Sequence, residues 1–142
     1  MQTAEAKLKF LKISPTKVRL VVDLVRGKKV EEALKTLKFL NKISSKPVLK
    51  LIESAKANAM HNHNMKKESL RIEKITVDEG PVMKRWMPKA HGTATPVRKR
   101  SSHVLVVLSG EAEKEEKVKT EKKSEKTKKN QVKIEKIENK NK

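Results

Sequence analysis

Residues 70–109 constrain the fold of this chain most, because they form a pattern of two extended arms joined by a turn. The outgoing arm covers residues 70–77 and continues through 82–87, and the return arm covers 97–108. β-Branched residues and leucines dominate near the bases of the arms, as half-buried strands require. The turn is predicted over 88–96. The sequence therefore predicts a long β-hairpin of which only the base belongs to a protein core.

The far half of this predicted hairpin is cationic. No acidic residue lies between Gly80 and Gly110, and apolar alternation does not continue there. An isolated two-stranded ribbon is at best marginally stable in water, and about ten residues per arm at roughly 3.3 Å each would reach about 30 Å beyond the body. We therefore expect a polyanion, RNA or DNA, to support it; the other interpretation is a solvated basic loop. The six cations are Lys84, Arg85, Lys89, Arg98, Lys99 and Arg100.

The cationic excess belongs to the part of the chain that is predicted to fold. The 142 residues contain 36 Lys and Arg against 17 Asp and Glu, a formal net charge of +19. Residues 1–110 carry 24 of the basic and 9 of the acidic side chains. Repulsion at that density disfavours a compact state unless counterions or a polyanion offset it.

Several classes of protein are disfavoured by what the sequence lacks. Cysteine is absent, which excludes disulfides and is compatible with a reducing compartment. No stretch approaches the roughly 20 apolar residues of a membrane span, and no apolar run at the N-terminus is typical of a secretory signal. No phosphate-binding loop, glycine-flanked serine or zinc-protease motif is present. We therefore expect no enzyme, no cofactor, no small-molecule substrate and no membrane partner.

His61 and His63 raise the question of a metal site. Two residues apart on a helix they point about 200° from each other, so they cannot chelate a metal from one face. Neither a cysteine nor a cluster of carboxylates accompanies them, and no metal site is expected. Histidines at the edge of the core, or facing RNA, are the preferred interpretation.

The residues before the hairpin predict a strand and then helices. Alternation predicts the strand over 4–13, and a change of phase near its end indicates a bulge or the strand terminus. Ser14 followed by Pro15 is typical of a helix start, with a hydroxyl cap and proline at the first helical position. The first helix is expected to end at residue 25 or 26 and to stop at Gly27.

Two further helices complete the predicted body. Val30 begins an amphipathic helix with acidic residues in its first turn and lysines later, as the helix dipole favours. The third helix is expected from Ser44 or Ser45 to about His63. The predicted fold is α+β: three helices packed on a small antiparallel sheet, with a long protruding β-hairpin at about 80–103.

The composition changes after Gly110. Residues 111–142 are dominated by Lys, Glu, Asn and Thr and contain few large aliphatic side chains. Such a segment cannot bury enough apolar area to offset the entropy of ordering it. We therefore predict an RNA-binding domain over 1–110 and a Lys/Glu-rich, mostly disordered tail over 111–142, with partner binding by the tail as the alternative.

Two classes of nucleic-acid-binding protein fit these features. The first is an RNA-bound structural protein whose hairpin is buried among RNA helices. The second is an architectural DNA-binding protein that embraces the duplex with basic β-arms and inserts an apolar wedge such as Met87 or Pro88. The DNA interpretation usually needs two arms and hence a dimer, whereas the three helices here can bury their apolar stripes within one chain.

Four separated motifs occur together in this sequence. They are SPTKVR at 14–19, VRG at 25–27, ANAMHN at 57–62, and a hairpin motif made of Arg85, PKAHG at 88–92 and KRSSH at 99–103. In this order they resemble the large-subunit ribosomal protein family conventionally numbered twenty-two, over about residues 4–109. The resemblance implies a structural constituent of cytoplasmic ribosomes that binds large-subunit ribosomal RNA and supports its assembly.

The resemblance also implies that the hairpin threads between RNA segments and lines the polypeptide exit tunnel with its tip. The partners implied are large-subunit ribosomal RNA, neighbouring large-subunit ribosomal proteins and, transiently, the nascent polypeptide. Where this family often has arginine, Lys89 keeps the charge without the planar fork, and Thr93 loses the charge. The tunnel-lining tip is expected to comprise Pro88, Lys89, Ala90, His91, Gly92, Thr93 and Ala94.

RNA contacts are expected from cations of the body and of both arms. Trp86 is the only tryptophan, and two interpretations stay open: a ring packed on its cross-strand partner, or a ring stacked on a base or ribose. Gly92 should supply a positive φ at the turn. The predicted RNA-binding residues are Lys17, Arg19, Arg26, Lys28, Lys29, Lys84, Arg85, Trp86, Lys89, Arg98, Lys99, Arg100 and His103.

Overall fold

The computed structural model describes residues 2–111, which contain five strands and three α-helices. The tail predicted for 111–142 lies, apart from Glu111, outside the described residues. Short 3₁₀ turns precede the second strand and form part of the hairpin tip. The elements are β1 (Gln2–Leu11), α1 (Pro15–Asp23), α2 (Val30–Phe39), α3 (Ser45–His63), β2 (Arg71–Glu79), β3 (Met83–Pro88), β4 (Ala94–Lys99) and β5 (Ser102–Gly110).

Strands β1, β5 and β2 form an antiparallel sheet in that order, so the last strand lies in the centre. Strand β5 alternates strictly: Val104, Val106 and Leu108 are buried, and the residues between them are half-buried on the opposite face. In β1, Ala4 pairs with Leu108 and Ala6 with Val106, and both alanines are buried as well. One face of the sheet therefore carries the core, and the other faces away from it.

Helix α1 begins where the sequence predicts but ends earlier. Ser14 has the extended backbone of an N-cap residue, although its hydroxyl makes no capping hydrogen bond. The predicted end at residue 25 or 26 was wrong, because the helix ends at Asp23 and the Val25 N–H donates to the Val22 carbonyl in a tighter turn. This turn buries Val25 completely, and the chain then reaches Gly27, the predicted stop, which has a φ of 74°.

Helix α2 buries its apolar stripe against α3, and α3 packs in turn on strands β1 and β5 of the sheet. Val30 and Ala33 of α2, with Ile52 and Ala55 of α3, have almost no exposed surface. Small side chains at such positions allow the helix backbones to approach closely. The start of α2 at Val30 and the end of α3 at His63 match the sequence prediction.

An ion pair joins the start of α2 to the segment that precedes β2. The Lys67 Nζ lies 3.2 Å from the Glu31 Oε1, and the hydrogen bond and charge of Lys67 lower the pKa of Glu31. Any stability that this pair contributes is present above the unfolded-state pKa of Glu31 and is lost as the pH falls through its lowered folded-state pKa. Both side chains are about half exposed, so solvent screening keeps the contribution small.

Two breaks separate the sheet from the outer hairpin. Strand β2 ends at Glu79 and β5 begins at Ser102, while β3 and β4 pair only with each other. Between them the Gly80 N–H donates to the Ser101 carbonyl at 2.9 Å, and the Ser101 hydroxyl donates to the Pro81 carbonyl at 2.7 Å. The arms are therefore not continuous strands, because proline has no N–H to continue the ladder.

Replacing Gly80 with alanine is expected to strain the junction between the sheet and the outer hairpin. A Cβ there would lie 2.5 Å from the Ser101 Oγ and 3.2 Å from the Ser101 carbonyl carbon. Because one neighbour is backbone, we expect Gly80→Ala to lower the free energy of unfolding by about 1–3 kcal/mol, measured by urea denaturation. In a double-mutant cycle, adding Ser101→Ala to Gly80→Ala should recover only the part of the lost stability that comes from the clash with the Ser101 hydroxyl. Wild-type stability of Gly80→Ala would contradict the close approach.

The predicted fold class is confirmed by these elements. Three helices pack on a small antiparallel sheet, and a separate two-stranded hairpin extends the chain between β2 and β5. Within residues 2–111, none of the helices has the length and apolar character needed to cross a membrane. The hairpin is the part of this fold that no other strand of the described residues pairs with and that packs on no core.

Candidate nucleic-acid interface

Strands β3 and β4 form a ladder without a protein core. Every residue of β3 is exposed, and so is every residue of β4 except Thr95. The ladder continues to Pro88 opposite Ala94, so the turn predicted over 88–96 was too long. Both strands of a two-stranded ladder are edges, where proline is tolerated, and Pro96 therefore lies within β4 instead of in the turn.

The register of this ladder gives the hairpin two chemically different faces. Residues directly opposite each other share a face, and successive residues alternate between faces. The tryptophan face consists of Lys84, Trp86, Pro88, Ala94, Pro96 and Arg98. The methionine face consists of Met83, Arg85, Met87, Thr95, Val97 and Lys99. Each face therefore carries two cations.

Like charges stand directly opposite each other on the tryptophan face, where Lys84 pairs with Arg98. Such a pair destabilises an antiparallel ladder. None of the three ion pairs within residues 2–111 involves the hairpin. They are Lys7–Glu5, Arg26–Asp23 and Lys67–Glu31. The described part of the protein thus supplies no carboxylate to neutralise the hairpin, and a bound phosphate would relieve the repulsion.

The tip of the hairpin is a compact turn of five residues. The Lys89 N–H donates to the Thr93 carbonyl at 2.8 Å, and the Thr93 hydroxyl donates to the Ala90 carbonyl at 2.9 Å. His91 and Gly92 have φ of 58° and 69°, and two successive positive values are typical of a type I′ turn. The predicted positive φ of Gly92 is confirmed. That of His91 was missed, because histidine adopts this conformation less readily than glycine or asparagine.

His103 lies at the base of the hairpin, where it holds the bulge of β1. Its Nδ1 accepts the Phe10 N–H at 3.0 Å, and the two rings pack edge to face with centroids 4.8 Å apart. Phe10 has a φ of 58°, and the pairing of β1 with β5 shifts register between Leu8 and Leu11. The irregularity predicted near the end of this strand is therefore a bulge, and the Nδ1 of His103 is occupied by a contact within the protein.

Two of the five predicted cations of the body have protein partners. The Arg19 Nη2 donates to the Val77 carbonyl of β2 at 3.1 Å. The Arg26 Nη2 lies 3.1 Å from a carboxylate oxygen of Asp23. The remaining predicted body cations, Lys17, Lys28 and Lys29, are exposed. The structure thus separates a group of cations on the body from the group on the hairpin.

Sequence reasoning missed three cations on the face of the sheet that is turned away from the core. Lys7 of β1 lies opposite Leu105 of β5. Lys74 and Arg71 of β2 lie opposite Val107 and Ser109 of the same central strand. All three cations are exposed. Period-two alternation counted from the buried residues of β5 would have placed them together.

The candidate metal-binding histidines stand apart from any other ligand. His61 and His63 are exposed in the last turn of α3. Within the described range 2–111, no group of three or more His, Cys, Asp or Glu is arranged to hold a metal ion. The candidate functional groups of the hairpin are therefore its cations and the exposed ring of Trp86.

Comparison with known proteins gives consistent matches. A family model described as ribosomal protein L22p/L17e matches residues 6–109. The chain is 50% identical over 108 residues to large ribosomal subunit protein uL22 of Mycoplasma capricolum, which covers 76% of this chain and 97% of that protein. It is 49% identical over 110 residues to uL22 of Desulforamulus reducens, covering 78% and 97%, and 49% identical over 105 residues to uL22 of Thermus thermophilus, covering 74% and 93%. The chain belongs to the ribosomal protein L22p/L17e family.

Proposed function

We propose that this chain is a structural constituent of the large ribosomal subunit. In this role it binds large-subunit ribosomal RNA, supports assembly of the subunit and lines the polypeptide exit tunnel with the tip of its hairpin. Family membership supports the coarser part of the proposal, because the similar proteins are named as large-subunit components. The contact with RNA is supported by the chemistry of the hairpin.

The observation that carries the proposal is the ladder of β3 and β4, which is exposed and has cations on both faces. Such a ladder is marginal in water by itself, and the pairing of Lys84 with Arg98 makes it less stable still. A polyanion on one side would neutralise only half of the cations. We therefore favour a hairpin enclosed between RNA segments over one that lies on the surface of a single duplex.

The expected RNA contacts divide by position. The six hairpin cations and Trp86 form the main group, and Lys17, Lys28 and Lys29 form a second group on the body. Arg19, Arg26 and His103 contribute through the donors that their protein contacts leave unused. Neighbouring large-subunit proteins would adjoin the body.

The tip is suited to a passive role beside a moving peptide. Ala90, His91, Gly92, Thr93 and Ala94 form a small, mildly polar surface that has no large apolar side chain. Such a surface gives a nascent chain little to bind. Lys89 is the only cation of the tip, so the arms carry most of the RNA-binding charge.

Salt dependence of binding tests the proposal. The full chain is titrated with deproteinised large-subunit ribosomal RNA at several salt concentrations, and binding is measured by filter retention. If six hairpin cations each neutralise a phosphate, the slope of log K against log salt concentration should be about −4 to −5 or steeper. In cell lysate, the protein should co-sediment with large ribosomal particles and resist a high-salt wash.

Duplex DNA serves as the competitor in the same titration. Ribosomal RNA should remain bound in the presence of an equal mass of DNA, because the enclosing RNA segments contact both faces of the hairpin. Preferential binding to duplex DNA would instead favour an architectural DNA-binding protein. Absence of the protein from large ribosomal particles would contradict the proposed function directly.

A further inference from the structure

The tryptophan face places an aromatic ring beside a pair of cations. Trp86 lies directly opposite Pro96, and its neighbours on that face are the pair Lys84–Arg98 on one side and the pair Pro88–Ala94 on the other. Trp86 is 70% exposed. Most of the Trp86 side chain is therefore left uncovered.

Protein packing alone does not account for this tryptophan. The aromatic pair found within residues 2–111 joins Phe10 to His103 at the base of the hairpin, not Trp86. No apolar core lies against β3, all of whose residues are exposed. A large aromatic side chain usually stabilises a protein through the area that it buries, and here the protein buries little of it. The ring is therefore available to an external partner.

We infer that the tryptophan face is a stacking site for an unpaired nucleobase of RNA, whose phosphate is bound by Lys84 and Arg98. Residues that share a face of a strand are separated by about 6.6 Å along it, which suits a base on the ring and a phosphate on the adjacent cation pair. Unstacked bases are the groups that proteins commonly bind on aromatic rings. This inference rests on the proposed function and names the ligand of one part of that surface.

An apolar or acidic peptide is the competing occupant of this face. A peptide could cover the indole, but it would have to bring a carboxylate to the same pair of cations at the right spacing. Every nucleotide carries both groups already. The hairpin has no acidic residue from 80 to 110, so a polyanionic strand can pass along it without repulsion. The charge of the surface therefore favours RNA.

The chain supplies its own reporter for a test, because Trp86 is the only tryptophan and tyrosine is absent. The full chain is titrated with a short single-stranded RNA and with an abasic strand that has the same phosphates. Stacking should quench the tryptophan fluorescence with the base-containing RNA, in step with binding measured by filter retention. The abasic strand should bind with little quenching.

Substitution separates stacking from charge. Trp86→Leu should weaken binding of the base-containing RNA by roughly 5- to 100-fold, leave binding of the abasic strand unchanged, and keep the salt slope, because the phosphate contacts remain. Trp86→Phe should restore most of the affinity. Met87→Ala removes an exposed apolar side chain from the methionine face and should have a much smaller effect.

Three results would overturn the inference. They are fluorescence that does not change at saturating RNA, equal affinity of the wild type and Trp86→Leu for the base-containing RNA, and quenching by an acidic peptide but not by RNA. In each case, binding of ribosomal RNA with the expected salt slope would leave the proposed function standing. If the wild-type chain binds no RNA at all, the proposed function and the inference both fail.

Discussion

Reversal of Arg98, Lys99 and Arg100 to glutamate is expected to abolish binding to large-subunit ribosomal RNA while the helical body stays folded. Each charge-assisted hydrogen bond contributes about 1.5–3 kcal/mol, so losing three of them should lower the affinity by roughly a thousandfold or more. Repulsion between the new carboxylates and phosphate adds to the loss. The core residues lie in the helices, the three-stranded sheet and the loops that join them, and none lies in β3 or β4, so thermal unfolding of the body should be nearly unchanged.

The register of the ladder makes this prediction sharper. Arg98→Glu places a carboxylate opposite Lys84, where the wild type has two like charges. Opposite charges across an antiparallel pair are favourable, so the isolated hairpin should become more ordered while RNA binding is lost. Amide exchange across β3 and β4, measured in the free protein, reports that order. Slower exchange together with lost binding would show that charge, not hairpin unfolding, explains the defect.

A matched variant controls for net charge. Lys38, Lys46 and Lys50 are exposed on α2 and α3, and reversing them changes the net charge by the same amount without altering the hairpin. This control should lose far less affinity than the hairpin variant and should still enter large subunits. Normal sedimentation of the hairpin variant with mature large subunits would contradict the assigned role of the hairpin.

The sequence was sufficient to predict the body because its core follows simple periods. Val104, Val106 and Leu108 alternate along β5, and the stripes of α2 and α3 recur with the period of a helix, so the burial of both could be read directly. The same periods did not reveal that Leu20 of α1 and Leu24, directly after it, are exposed. An apolar side chain has no local signal that tells whether a neighbouring element covers it.

Local sequence signals also failed where distant residues decide the backbone. The bulge at Phe10 depends on His103, which lies 93 positions away in sequence. The break beside Gly80 depends on Ser101, whose hydroxyl bonds to the Pro81 carbonyl. Neither partner can be chosen from the sequence until the strands are paired. Such non-local contacts fix where the sheet ends and the hairpin begins.

The cations of the candidate interface could be predicted, but their arrangement could not. Charge runs in the sequence identified all six hairpin cations, yet the pairing of Lys84 with Arg98 follows only from the register. A slip of one residue would move every side chain of one strand to the other face. The division into tryptophan and methionine faces therefore follows from the register in the structure and could not be predicted from the sequence.

Replacement of residues 88–94 by Asn-Gly is expected to weaken RNA binding only modestly and to remove contact with a nascent chain. A two-residue type I′ turn matches the twist of the flanking strands and needs a hydrogen-bonded pair at its base. Met87 opposite Thr95 is such a position, because the Lys89 N–H donates to the Thr93 carbonyl two residues further on and hydrogen-bonded pairs alternate along the ladder. Only one of the six hairpin cations is lost, Lys89, so the affinity for ribosomal RNA should fall by about tenfold, since one charge-assisted contact is worth roughly 1.5 kcal/mol at the lower end of its range.

Crosslinking of a stalled nascent chain to this protein measures the second effect. A hairpin shortened by five residues withdraws from the tunnel lumen, because the arms that hold it remain in register, and the crosslink should fall to background. Lys89→Ala keeps the length of the tip and removes its charge, so it should retain the crosslink and separate reach from electrostatics. An unchanged crosslink in the shortened variant, with RNA binding preserved, would mean that the peptide passes along another part of the protein and that the tip faces elsewhere.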